Sequence, residues 1–85
     1  MFKIIVPNSV EKEFYNLPEE IQPKIREKLN ELKQNPRPYG VKMLKGKLNG
    51  SWRIRVGNYR IIYDIFDKEK TIVITDIGHR KDIYS

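Results

Sequence analysis

Three arginines and no acid stand in the stretch RIRVGNYRIIY, residues 53–63. A guanidinium group stays protonated at any working pH, so it serves poorly as a base, but its forked donors bind phosphate in bidentate fashion. Arg53 and Arg55 alternate with Trp52, Ile54 and Val56, a period of two that puts the basic and apolar side chains on opposite faces of a strand. Arg60 lies across Gly57 and Asn58, where a hairpin would bring it beside them, and Arg80 follows the last strand-like run. Four such groups on one surface would hold and neutralise a phosphodiester. The competing reading pairs each arginine with a carboxylate on a neighbouring strand, Asp64 or Asp76 being nearest.

The rest of the inventory is sparse. His79 is the only histidine, so no two-histidine acid and base pair and no Ser/His/Asp set can be assembled. It is either a candidate proton donor or acceptor or a solvated strand-end residue. Asp64, Asp67, Asp76 and Asp82 are dispersed, unlike the clustered carboxylates of a two-metal nuclease, and no metal or other cofactor is expected. GxxxxGK is absent. Tyr84, beside Arg80 and Lys81, is either a phenol with a lowered pKa or a packing residue.

Positive charge is concentrated. The chain carries +6 over 85 residues, yet Leu32 to Tyr63 holds eight basic residues and no Asp or Glu, while nine basic and eleven acidic residues elsewhere nearly cancel. That focus favours a polyanionic partner such as RNA, DNA or an acidic protein segment, against the plainer role of a solubilising face. With no cysteine there is no disulfide, thiolate nucleophile or Cys-based zinc site, which suits the cytoplasm. No apolar run reaches the roughly 18 residues of a membrane span, and MFKIIVP is too short for a signal-peptide core.

The elements that must position these residues form one domain over 1–85. Phe2 to Pro7 reads as a strand. Asn8 with Glu11 resembles a capping box, and Val10, Phe14 and Leu17 follow at helical spacing toward Pro18. A second helix is expected from about Glu19 to Gln34, with Ile21, Ile25, Leu29 and Leu32 on one stripe and Pro23 in or next to its first turn. NPRPYG stops it. Trp52–Val56, Tyr59–Phe66 and Thr71–Ile77 then form a three-stranded antiparallel meander ended by Gly78. The expected class is α+β, with both helices on one face of a twisted sheet and the other face partly open.

At LKGKLNGSWRIRVGNYRIIYDI and VITDIGHRKDIY the chain resembles the RelE branch of the RelE/ParE superfamily, the toxins of type II toxin-antitoxin pairs. The likeness spans essentially the whole chain. It implies metal-independent, ribosome-dependent cleavage of messenger RNA in the A site, by attack of the ribose 2'-hydroxyl on the adjacent phosphate. Carried over by residue, Arg60, Arg80 and Tyr84 match functional positions, and Arg53 and Arg55 stand where the best-studied branch has lysines. The resemblance thus implies a catalytic set of Arg53, Arg55, Arg60, Arg80 and Tyr84, with His79 as a further acid or base candidate and Lys45 and Lys47 as RNA contacts. It also implies a cognate antitoxin whose acidic amphipathic segment wraps the toxin in a hetero-oligomer. Two rival readings remain: a ParE-like gyrase inhibitor, and a non-catalytic module that binds RNA or antitoxin.

Overall fold

The computed structural model describes residues 1–46 and 50–79. Seven elements follow in order: β1 (Lys3–Ile5), α1 (Asn8–Tyr15), α2 (Gln22–Gln34), β2 (Lys42–Met43), β3 (Trp52–Val56), β4 (Tyr59–Phe66) and β5 (Thr71–His79). They build one five-stranded sheet in the order β1-β5-β4-β3-β2. The expected meander is its centre, and β1 joins it in parallel beside β5, with Ile4 opposite Ile72. Both helices lie against one face. Val10, Phe14, Ile25 and Leu32 from the helices form a single buried cluster with Ile54, Ile61, Tyr63, Ile72, Ile74 and Ile77 from the sheet. This is the α+β layout that the sequence implies.

Several local expectations are corrected. β2 is too short for any alternation to announce it, yet Lys42 pairs with Arg53 and Met43 with Trp52. No capping box forms at Asn8. Pro7 is the N-cap instead, and its carbonyl accepts the amides of Val10 and Glu11 at 3.0 and 2.9 Å. α1 ends at Tyr15, short of Leu17. α2 begins at Gln22 because Pro18 to Ile21 closes as a turn, the Ile21 amide donating to the Pro18 carbonyl. Pro23 does fall in the first turn, where its missing donor costs least. Between β3 and β4, Gly57 has φ of +60° and Asn58 does not enter positive φ, matching the Gly-first preference of a II′ hairpin turn.

A bulge in β5 decides which of its side chains enter the core. Opposite Ile62 and Tyr63 the register jumps from Asp76 to Ile74, leaving Thr75 over, and its Oγ1 donates to the Ile62 carbonyl at 3.1 Å. Strict alternation after Ile72 and Ile74 would send Asp76 and Gly78 into the core. The extra residue inverts this, so Ile77 is buried and Asp76 leaves the core to meet Glu13 of α1.

The loop 35–40 is tied to the sheet by a polar clasp. Arg37 donates to both oxygens of Asp67, at 3.2 and 2.9 Å, while its guanidinium lies 5.0 Å from the Trp52 ring centre. The fork lowers the Asp67 pKa. A carboxylate held down in this way adds stability above its unfolded pKa and loses it as pH falls through the lower, folded value. Asp67→Asn is therefore expected to lower Tm near pH 7 only slightly, since the pair is exposed. Thermal melts should show the gap closing below about pH 4, and a gap that persists into acid would exclude the ion pair as its source.

Candidate functional site

The register of β3 and β4 answers the question that the arginines raise. Arg55 stands directly opposite Arg60, and Arg53 opposite Ile62. Residues opposite one another in an antiparallel pair share a face, with Cα atoms about 4.5–5.5 Å apart. Arg53, Arg55 and Arg60 therefore project from one sheet surface, opposite the helices. Two rows result. Lys42, Arg53 and Ile62 run across the sheet in one, and Arg55, Arg60 and Gly78 in the next.

Exposure grades the three arginines. Arg60 is 9% exposed, Arg53 is half-buried and Arg55 is exposed. Leu44 and Ile62 are buried as well but lie outside the helix-side cluster. Arg53 and Arg60 make interactions within the chain. Asp64 accepts the Ser51 hydroxyl at 2.5 Å, and Asp76 meets Glu13 of α1. Burial raises the Glu13 pKa, and the charge and hydrogen bond of Asp76 raise it further. Setting Arg55 against Arg60 places like charges face to face, an arrangement that favours an anion bound between them.

The remaining sequence candidates are distributed differently. His79 pairs with Tyr59, and the two rings meet edge to face at 5.4 Å. By alternation His79 points to the helix side, away from Arg60. Lys45 is exposed beyond β2. Lys47, Arg80 and Tyr84 lie outside the described residues. Lys42 joins the arginine surface unforeseen, because only the pairing of a two-residue strand puts it beside Arg53. Arg37 belongs to the clasp rather than to this surface.

A cavity of about 430 Å³ opens elsewhere, between the C-terminal end of α1 and the end of β5, with Glu13, Asn16, Tyr59, Asp76 and His79 in its wall. Two carboxylates there would repel a phosphate. The arginine surface has the residue types that can bind a phosphodiester and stabilise charge developing on it.

Comparison with known proteins adds the following. A family model described as ParE toxin of type II toxin-antitoxin system, parDE, matches residues 4–84. A protein of Methanocaldococcus jannaschii named "Putative toxin RelE1" is 30% identical over 86 residues, covering 98% of this chain and 94% of that one. Among solved structures, the RelBE2 toxin-antitoxin complex of Mycobacterium tuberculosis aligns with a TM-score of 0.82 at 28% identity, over 93% of this chain and 98% of that chain. The archaeal RelE-RelB complex of Pyrococcus horikoshii aligns with a TM-score of 0.80 at 28% identity, over 93% and 94% respectively.

Proposed function

This chain belongs to the ParE toxin family of type II toxin-antitoxin systems, within the RelE/ParE superfamily, and from that membership we propose that it is a ribosome-dependent messenger-RNA endonuclease. The observation that carries the reading is the convergence of Arg53, Arg55 and Arg60 on one sheet face. In the reaction, a ribose 2'-hydroxyl loses its proton and attacks the adjacent phosphate, and the 5'-oxygen leaves. Arg55 and Arg60 stabilise the charge that gathers on the phosphoryl oxygens, and Arg53 holds the backbone. Always protonated, they cannot take the nucleophile's proton, a task assigned to Tyr84 by the family resemblance. Because His79 turns to the other side of β5, the charge on the leaving 5'-oxygen is assigned to Arg80, which steadies it by hydrogen bonding as the P–O5' bond breaks while water supplies the proton. So sparse a set of acids and bases suits an enzyme whose RNA is aligned by the ribosome, since positioning supplies roughly 7–11 kcal/mol.

Primer extension on a defined message, with and without programmed ribosomes, tests the reading. Cuts within the A-site codon that require ribosomes support it. Breaks in DNA that require gyrase would favour the second reading, inhibition of gyrase, to which the name of the matching family model points. Binding to RNA or antitoxin with no cleavage would make the chain a non-catalytic module.

Lys45, exposed beyond β2, is assigned a backbone contact to RNA. Lys45→Ala is expected to weaken RNA binding at all sequences alike and to reduce the slope of log K against log salt by about 0.7, as one lost single-strand contact requires. A salt titration with an unchanged slope would remove it from the interface. The toxin's partner in this reading is an antitoxin, as in the RelBE2 and RelE-RelB complexes, meeting the basic surface with an acidic amphipathic segment in the cytoplasm.

A further inference from the structure

The loop between α2 and β2 holds one large ring out in water while fixing the backbone around it. Tyr39 is completely exposed, at 104%, yet Pro38 just before it is buried. The Val41 amide donates to the Pro38 carbonyl at 3.2 Å and closes a four-residue turn, in which Gly40, the third residue, has φ of +92° as a type II turn requires. The approach to the turn is tied as well. The Pro36 carbonyl accepts the Tyr63 hydroxyl at 2.7 Å, the Arg37 amide donates to Asn35 Oδ1 at 3.2 Å, and the Arg37 side chain clasps Asp67. Single exposed apolar residues are ordinary on a protein surface and need no explanation. This one stands on a turn pinned from both sides, so docking against a partner would fix little more than its two side-chain torsions.

The surroundings select the partner. β2 is the end strand and runs antiparallel to β3 with Lys42 opposite Arg53, so the chain enters it from the side of Ile54 and Arg55. The turn therefore sits at the sheet edge toward the row that Arg55 and Arg60 form. From Leu32 to Tyr63 there are eight basic residues and no acid. An acidic peptide answers that charge alone. Single-stranded RNA answers charge and ring together, because its phosphates suit the cations and its unstacked bases present flat faces to an aromatic side chain.

We propose that Tyr39 stacks on a base of single-stranded RNA whose phosphates are held by Lys42 and the arginine surface. The inference rests on RNA being the ligand of that surface, and it is independent of cleavage. Tyr39 binds the strand and takes no part in the chemistry. Since every base has such a face, the ring adds affinity without selecting a sequence.

The test is binding of the free, full-length chain to a labelled oligoadenylate of about 12 nucleotides, read by fluorescence anisotropy across a salt series. Tyr39→Ala is expected to melt with the parent, as suits so exposed a position, and to raise Kd about tenfold. The slope of log K against log salt should stay unchanged, because no phosphate contact is lost. Tyr39→Trp should restore the parental Kd. Inorganic polyphosphate, a polyanion without bases, should bind parent and Tyr39→Ala alike. Equal oligoadenylate affinity for the two chains overturns the proposal, and so does a parent that binds no oligoadenylate or a loss that recurs in full with polyphosphate. An alanine variant that binds RNA normally but antitoxin weakly would assign the ring to a protein partner and also overturns it. A parent that needs Tyr39 to bind RNA but cuts no message on programmed ribosomes would remove the nuclease reading and leave this one standing. Ribosome-dependent cuts with Tyr39 dispensable for RNA binding would do the reverse.

Discussion

Arg60→Ala is expected to lower ribosome-dependent cleavage by about 10²–10³-fold, the usual cost of removing one preorganised donor from a site of developing charge. Arg60 is the most deeply set of the three arginines on the sheet face away from the helices, 9% exposed between Arg55 on β3 and Gly78 on β5. A guanidinium held this closely needs little reorganisation when the phosphate gains charge, whereas exposed Arg55 must give up more freedom to act. Arg60→Lys should recover only part of the loss, because an ammonium keeps the charge but not the two-pronged geometry. The fall must appear in single-turnover cleavage on programmed ribosomes, at a temperature where circular dichroism shows the variant folded. Equal cleavage by parent and alanine variant would take Arg60 out of the chemistry. Arg55→Ala, on the same row, should cost less.

Much of this surface could be read from spacing alone. WRIRV alternates cleanly, so the separation of Arg53 and Arg55 from Trp52, Ile54 and Val56 is a property of any strand they occupy, and Gly57-Asn58 fixes the hairpin that brings Arg60 opposite Arg55. What spacing cannot show is pairing between distant segments. β1 finds β5 across more than sixty residues, and β2 exists only because β3 offers it an edge. The side of the sheet on which His79 emerges depends on one surplus residue, Thr75. The break in alternation after Ile74 was its signal, for Ile72, Ile74 and Ile77 cannot all face the core of an unbroken strand. The clasp of Arg37 on Asp67 and Trp52 joins residues thirty and fifteen positions apart, and in the sequence Arg37 is one more member of a basic run.

Tyr63 is the position where a single change should cost the fold most. It is the largest fully buried side chain, at 0% exposure, and its hydroxyl donates to the Pro36 carbonyl at 2.7 Å. Tyr63→Ala is expected to remove about 3–5 kcal/mol through lost burial and the cavity left behind. That is a third or more of the stability of many small domains, a fall of roughly 15–30 °C in Tm. Tyr63→Phe isolates the hydroxyl and should cost about 1–2 kcal/mol, because the Pro36 carbonyl loses its donor while the ring stays in place. Burial raises the phenol's pKa, with the nearby charge of Arg37 opposing in part. The sign then follows: the folded state holds the proton more tightly than the unfolded chain, so this contribution is full below about pH 10 and is lost as pH rises through the folded value. Urea denaturation of parent and Tyr63→Phe should therefore differ by a constant amount from pH 6 to 9 and converge above about pH 10. Divergence there would mean that the phenol ionises more readily in the fold than in the open chain. The consequence reaches the arginines, since Pro36 begins the loop that delivers Lys42 to its place opposite Arg53. Loosening that loop in Tyr63→Phe should reduce RNA affinity modestly without removing any group that touches the phosphate.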